Sequence, residues 1–400
     1  MRPNRYADQR ALRARLGTAT LPPLRPRVEI AVRAPGPDAA QRADHIARGR
    51  HLARQEVWDE LAELIAAADR GGQLTDGLFP VALLLAQGAR SDVVQAAREL
   101  VRRGEPKTAL AILAAFRATL EDENAGPPLD GLAALAHVDV ALSWRGASAP
   151  AQLSAQRRAA YASHMGEARA LADRHDAFEA GSSYWAALRC AVLEADPAPA
   201  ARVADDYEDL IELAPEVPAH MMALGHDLRP RRFGSWEMLD SQARRVIGQT
   251  CDIWGMAGYT WVYIGALERD AGALRRVDAE LFTEGLHDIL QRHPTQDMAN
   301  RMAAFTGLTL GGPSDPGSAR RRLADAFGWI TQDYLRELHP EIWANAPSPG
   351  RPLPPEDSQD TVRRGRVRAI STMAEYYAPA LDVGRRLVFT PDGVRMLKGD

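Results

Sequence analysis

The sequence predicts an all-α protein, with antiparallel helix pairs stacked as an α-solenoid and a short β-hairpin at the C-terminal end. Three observations carry this reading. Apolar residues recur at helical spacing from residue 42 to residue 344. Short Gly- and Pro-containing breaks divide that stretch into segments of roughly 12–20 residues, too closely linked to pack other than as antiparallel neighbours. Aromatic residues make up only 6% of the chain, while Ala and Leu dominate the periodic segments, which favours helix over strand. At 400 residues the chain exceeds the usual size of one compact core, so two domains or one elongated array is expected.

The elements follow in order. Residues 1–41 hold eight arginines against three acids, several prolines and no sustained period, and read as a basic N-terminal arm, extended or partly disordered. Within it, RVEIAV at 27–32 has the composition of one short strand. The helical-repeat domain spans 42–344. Its stripes are Trp58, Leu61, Leu64, Ile65 and Ala68; then Val93, Val94, Ala97, Leu100 and Val101; then Ala109, Leu110, Leu113 and Phe116. Later come Leu274, Val277 and Leu281, and the Leu286, Ile289 and Leu290 group. Between stripes sit RGG at 70–72, RRGEP at 102–106, GPP at 126–128 and ADPAP at 195–199, the stop-and-start chemistry of Gly after one helix and Pro at the head of the next. This division gives roughly 14 helices. Residues 345–360, NAPSPGRPLPPEDSQD, form a Pro-rich linker. Residues 361–400 supply one more helix with a basic start, then β-favouring residues on both sides of Pro391-Asp392-Gly393, a hairpin signal.

Charge and cysteine content narrow the classes. A net charge of -4 gives no global attraction to nucleic acid or acidic membranes. Only two of the 49 basic residues are lysine, Lys107 and Lys398, a bias that reads as the codon usage of a GC-rich, bacterial type of genome. Cys190 and Cys251 are too few and too far apart for a disulfide framework or a clustered zinc motif, which points to a reducing cytoplasm. The N-terminus is basic but lacks an apolar signal core. The longest apolar run, LFPVALLLA at 78–86, is far short of the about 20 residues that cross a bilayer, so no membrane association is expected.

One segment bears a family likeness. Residues 93–119, VVQAARELVRRGEPKTALAILAAFRAT, resemble the helix–turn–helix unit of tetratricopeptide-like repeats. Ala97 stands at the small position of the first helix with Leu100 one turn on, Gly104 falls in the turn, and Ala109 and Leu113 follow on the second helix. Phe116 stands where the repeat has a small residue, and the closing proline is missing. Looser echoes lie at 42–69 and 255–294. The resemblance implies a right-handed stack of helix pairs with a concave groove that binds a peptide or another protein.

Several groups invite a chemical role. VADDYEDLIELAPE at 203–216 contains D-D-x-x-D at Asp205, Asp206 and Asp209, the pattern that holds Mg²⁺ and a diphosphate in isoprenoid synthases. On a helix, Val203, Tyr207, Leu210 and Ala214 share one side, and Asp205, Glu208, Asp209 and Glu212 gather opposite. No second acidic cluster accompanies them, so a solvated face is the stronger reading, with a Mg-dependent all-α enzyme acting on a diphosphate as the alternative. The segment 251–267 is the densest in rings, with Trp254, Tyr259, Trp261 and Tyr263 interleaved with glycines. It suits either tight helix packing or a binding surface shared with Arg231, Arg232, Phe233 and Trp236. His220 and His226 are spaced six apart, which diverges on a helix and does not suit a metal. The arginine-rich segments at 1–33 and 363–368 leave a nucleic-acid-associated regulator as a second alternative, though neither carries aromatic rings for base stacking. The expectation is a non-catalytic scaffold that binds another protein or peptide, needs no cofactor and leaves homo-oligomerisation open.

Overall fold

The computed structural model describes residues 27–122, 126–146, 152–348 and 360–398. Seventeen α-helices and five short strands lie among them. The body is helical, as the period demands. Proline opens Pro37–Arg54, Pro199–Leu213, Pro218–Asp227 and Pro340–Asn345, where its missing N–H costs nothing. Elsewhere a short polar side chain accepts the first free N–H: Ser154, Ser182, Ser235, Asp278, Thr295 and Ser318 each do so. The helix total exceeds the roughly 14 expected because pieces such as Ser183–Ala191 and Ala378–Asp382 are too short to show a period.

The segment with the repeat likeness is a helix–turn–helix. Val81–Arg103 ends at Gly104, whose φ of 73° is left-handed, and the next helix, Pro106–Asp122, starts two residues later. Ala97, Ala109 and Leu113 are fully buried between the two. Phe116 packs its ring edge against Trp58, 6.0 Å between centroids.

Paired glycines bring some helices into backbone contact. A Cβ on Gly225 would lie 1.8 Å from the Val262 carbonyl oxygen, and one on Gly265 would lie 1.9 Å from that of Met222. These glycines belong to Pro218–Asp227 and Ala257–Leu267, so each helix offers its bare backbone to the other. Gly49 and Gly88 do the same for Pro37–Arg54 and Val81–Arg103, against Leu85 and Ile46.

Both ends of the described chain are tied to each other. The expected strand at 27–32 is two two-residue strands on different sheets. Val28–Glu29 pairs in parallel with Arg385–Thr390, and Ala31–Val32 pairs in parallel with Glu337–Leu338. The C-terminal hairpin forms, Arg385–Thr390 against Gly393–Lys398, and the third strand supplies the packing that two strands alone would lack. Residues 27–41 are thus built into the fold, with Asp38 1% exposed. The rest of the expected arm, residues 1–26, and residues 349–359 of the expected linker lie outside the described residues.

An open array lets each repeat touch only its neighbours. Here contacts cross the chain. Asp69 accepts hydrogen bonds from Ser182, Ser183 and the Tyr184 N–H, at 2.6–2.8 Å. The connector at 71–80 runs past residues 213–217, leaving a cavity of about 300 Å³ between them. One continuous set of buried side chains runs from Val28 to Phe389.

Candidate functional site

The residues singled out by sequence fall into three places. Trp254, Tyr259, Trp261 and Tyr263 are all fully buried. Their polar atoms are mostly spent inside: Tyr259 and Tyr263 both donate to Asp240 Oδ1, at 3.1 and 2.9 Å, and Trp254 Nε1 donates to the Pro215 carbonyl at 2.8 Å. The Asp240 carboxyl sits below the usual range; burial opposes this, but bonds from Arg244 and the two tyrosines outweigh it. Trp236 is half-buried, and its ring covers the backbone at Gly272.

Arg231 is exposed, whereas Arg232 is half-buried and lies over the Phe233 ring, 4.4 Å from its centroid. Arg232 also bridges Glu194 at 2.7 Å and Asp227 at 3.1 Å. Asp227 further accepts from Tyr207 Oη at 3.0 Å and contacts His226 Nδ1 at 2.8 Å. Burial works against charge on Asp227, but His226, Arg232 and Tyr207 hold its carboxyl below the usual range. This internal network joins helices Pro199–Leu213 and Pro218–Asp227 to Glu194 and to the turn at 231–233, and it spends Arg232 on structure.

The acidic motif splits. Asp205 and Asp209 are exposed, opposite the buried Val203, Tyr207 and Leu210, as the helical period requires. Asp206 is instead half-buried and paired with Arg202 at 2.9 Å. Burial, followed by the neighbouring Asp206, Glu208 and Glu212 charges, pushes the Asp209 carboxyl up. Among the described residues, no group of three or more His, Cys, Asp or Glu side chains comes together as a metal would need.

Of the four flagged aromatic side chains at 251–267, Trp261 is the one that lines a described cavity. It lines a cleft of about 280 Å³ where helix Pro37–Arg54 meets the later half of the chain. Arg42 comes from that helix, Phe79 from the connector at 71–80, and Arg301 from Gln296–Ala304. Glu268 follows Ala257–Leu267, and Glu341 lies on Pro340–Asn345. Five segments, most of them far apart in sequence, therefore line one cleft.

Local geometry explains how each side chain is held. Leu78 has φ 63°, a region that costs a branched residue about 1–3 kcal/mol. The strain is held by a tight loop in which Thr75 N–H donates to the Phe79 carbonyl at 3.0 Å and Leu78 N–H to the Thr75 carbonyl at 2.9 Å. Buried Asp38 secures the same loop, accepting from Thr75 Oγ1 at 2.5 Å and Gly77 N–H at 2.8 Å. Asp38 also pairs with Arg42 at 2.8 Å, whose guanidinium lies 4.5 Å from the Phe79 ring centroid. On the other side, fully buried Asn300 fastens Gln296–Ala304 to the wall at 337–343. It donates to the Gln296 and Glu337 carbonyls and accepts from His339 N–H and Trp343 Nε1.

Arg301 differs from Arg42, whose charge Asp38 meets. Its Cζ lies 5.6 Å from the Trp261 ring centroid and 5.8 Å from that of Phe79, and its Nη2 is 3.9 Å from Met222 Sδ. The described residues give it no ion-pair partner. Glu268 is half-buried and also lacks a hydrogen-bonded partner among them; burial pushes its carboxyl up against the pull of Arg301 and Arg269. Trp261 Nε1 and Glu341 Oε2 are buried without hydrogen bonds among the described residues. The cavity beside residues 213–217 differs, because Asp69 in its wall already has three donors.

Sequence reasoning found Trp261 but missed Arg42, Phe79, Glu268, Arg301 and Glu341. The one available signal was a cation among buried apolar neighbours, as Arg301 is between Met298, Ala299, Met302 and Ala303 in QDMANRMAA. Compared with models of known protein families, curated proteins and solved structures, the chain matches none.

Proposed function

We propose that this chain is a non-catalytic binding protein of the helical-repeat kind, with the cleft at Arg42, Phe79, Trp261 and Arg301 as its recognition site. The observation that supports the reading is Arg301, a partly buried cation set between two aromatic rings with no carboxylate partner among the described residues. Leaving a charge half-desolvated and unpaired costs stability, and such a group is kept where a ligand completes it. A peptide or another protein is the occupant that the repeat likeness implies. The test is affinity capture with wild type, Arg301→Gln and the exposed control Arg363→Gln, with the fold checked by circular dichroism. A bound species held by wild type and the control but lost by Arg301→Gln supports the reading. A species held equally by all three places recognition elsewhere.

A further inference from the structure

The charges of the cleft say more about its occupant. Arg42 is neutralised by Asp38, and Asp297 has His339 3.8 Å away. The charges left over in its lining are Arg301, Arg269, Glu268 and Glu341, none of them ion-paired among the described residues. Two cations and two carboxylates around one space do not suit a phosphate, which the acids would repel, nor a simple amine, which the arginines would repel. They suit a molecule that carries both signs. The remaining wall includes apolar residues, with Met222, Ile342 and Ala346 half-buried in its lining. At about 280 Å³ the space lies at the small end of the range for ligand sites, about the size of one residue and its side chain.

We infer that the cleft binds a small zwitterion, an α-amino acid with an apolar side chain, its carboxylate at Arg301 and its ammonium group at Glu268 and Glu341. The inference rests on the reading of the cleft as the recognition site, and it names the chemistry of the group that enters. Carboxylate on guanidinium is the stronger half of the pair, because the planar fork is already held between two rings. The ammonium group relieves the desolvated Glu268, whose charge is otherwise opposed by burial. The side chain takes the place of water against Met222, Ile342 and Ala346.

Calorimetric titration of the full chain with L-leucine, L-methionine and L-phenylalanine tests this, together with 4-methylvalerate, isoamylamine and inorganic phosphate. At least one amino acid should bind, with the carboxylate-only and amine-only analogues weaker by about tenfold or more and phosphate silent. Arg301→Gln should abolish the heat and Glu268→Gln should weaken binding by about tenfold. If Arg301→Gln fails to fold, Glu268→Gln and the analogue series on wild type decide the matter. The inference is overturned if no amino acid binds up to about 10 mM, or if 4-methylvalerate or phosphate binds as well as the amino acids do. A captured partner that needs Arg301, with no amino-acid binding, overturns the inference and leaves the cleft as the recognition site. Amino-acid binding untouched by Arg301→Gln in a folded variant overturns both.

Discussion

Replacing Gly265 by alanine tests the contact that sets one wall of the cleft. Gly265 lies on the helix that carries Trp261, and the backbone it meets belongs to Met222, whose sulfur touches Arg301. The added Cβ would sit 1.9 Å from the Met222 oxygen, 2.6 Å from its carbonyl carbon and 2.7 Å from its Cα. All three are backbone atoms, so no rotamer change relieves the clash. Ordinary contact begins near 3.4 Å, so the two helices must part by about 1.5 Å. Overpacking of this kind costs about 1–3 kcal/mol, and an obstacle that cannot rotate away belongs at the upper end. Against that, alanine gains about 1 kcal/mol over glycine inside a helix. That gain can be measured alone, because Gly166 and Gly248 are exposed helical glycines with nothing within 4 Å of an added Cβ. Equilibrium urea denaturation should therefore show opposite signs. Gly248→Ala and Gly166→Ala should be neutral or more stable, and Gly265→Ala less stable by about 2 kcal/mol or more. The Gly225→Ala, Gly265→Ala double variant should cost less than the sum, since one displacement opens the gap for both. A Gly265→Ala protein as stable as Gly248→Ala would refute the account of these helices as held in backbone contact.

Three further outcomes follow from the same geometry. His137, His164 and His220 are buried and held far below their usual pKa by desolvation, to about 3, about 4 and about 4. The unfolded chain takes up these protons first as pH falls, so their contribution is complete above about pH 6.5 and is lost on the way down to about pH 4. Each histidine costs about 1.4 kcal/mol per pH unit in that window, and urea midpoints that stay level between about pH 6.5 and about pH 4.5 would contradict it. Asp227→Asn removes the charge that Arg232, His226 and Tyr207 share and should lower stability by about 3 kcal/mol or more, read as a denaturation midpoint. Asp205→Asn and Asp209→Asn should leave the midpoint unchanged and Mg²⁺ titration without heat, whereas Asp206→Asn, which loses the charge of its ion pair with Arg202, should lower the midpoint. A Mg²⁺ heat that vanishes in the Asp205 and Asp209 variants would restore the diphosphate reading.

The helices were legible because their signals are local. Pro199, Gly104 and the stripe of Val203, Tyr207 and Leu210 each act within a turn or two of the chain. The closure of the fold was not, because two-residue strands such as Ala31–Val32 carry no period and their partners lie about three hundred residues away. Trp261 and Tyr263 sit two positions apart and look alike in sequence. Only the fold shows that the Tyr263 hydroxyl is spent on Asp240 while Trp261 Nε1 has no partner among the described residues. Arg232 and Arg301 likewise differ only in what the distant chain brings beside them: Glu194 and Asp227 for one, two aromatic rings for the other.

That difference has an energetic consequence for the whole molecule. The cleft is walled by helix Pro37–Arg54, the connector at 71–80, and helices Ala257–Leu267, Gln296–Ala304 and Pro340–Asn345. It exists only when the first and last parts of the described chain are docked, through the pairings at 28–32 and the Asp38–Arg42–Phe79 contacts. An occupant therefore binds the closed form and has no site on an open one. A ligand at a hundred times its dissociation constant adds about 2.7 kcal/mol to the state that binds it. That stabilisation falls on the closure itself, so hydrogen exchange at 28–38 and 337–345 should slow together when the cleft is filled. Slowing at Gln296–Ala304 alone would mean that the occupant touches one wall and leaves the docking of the N-terminal helix untouched.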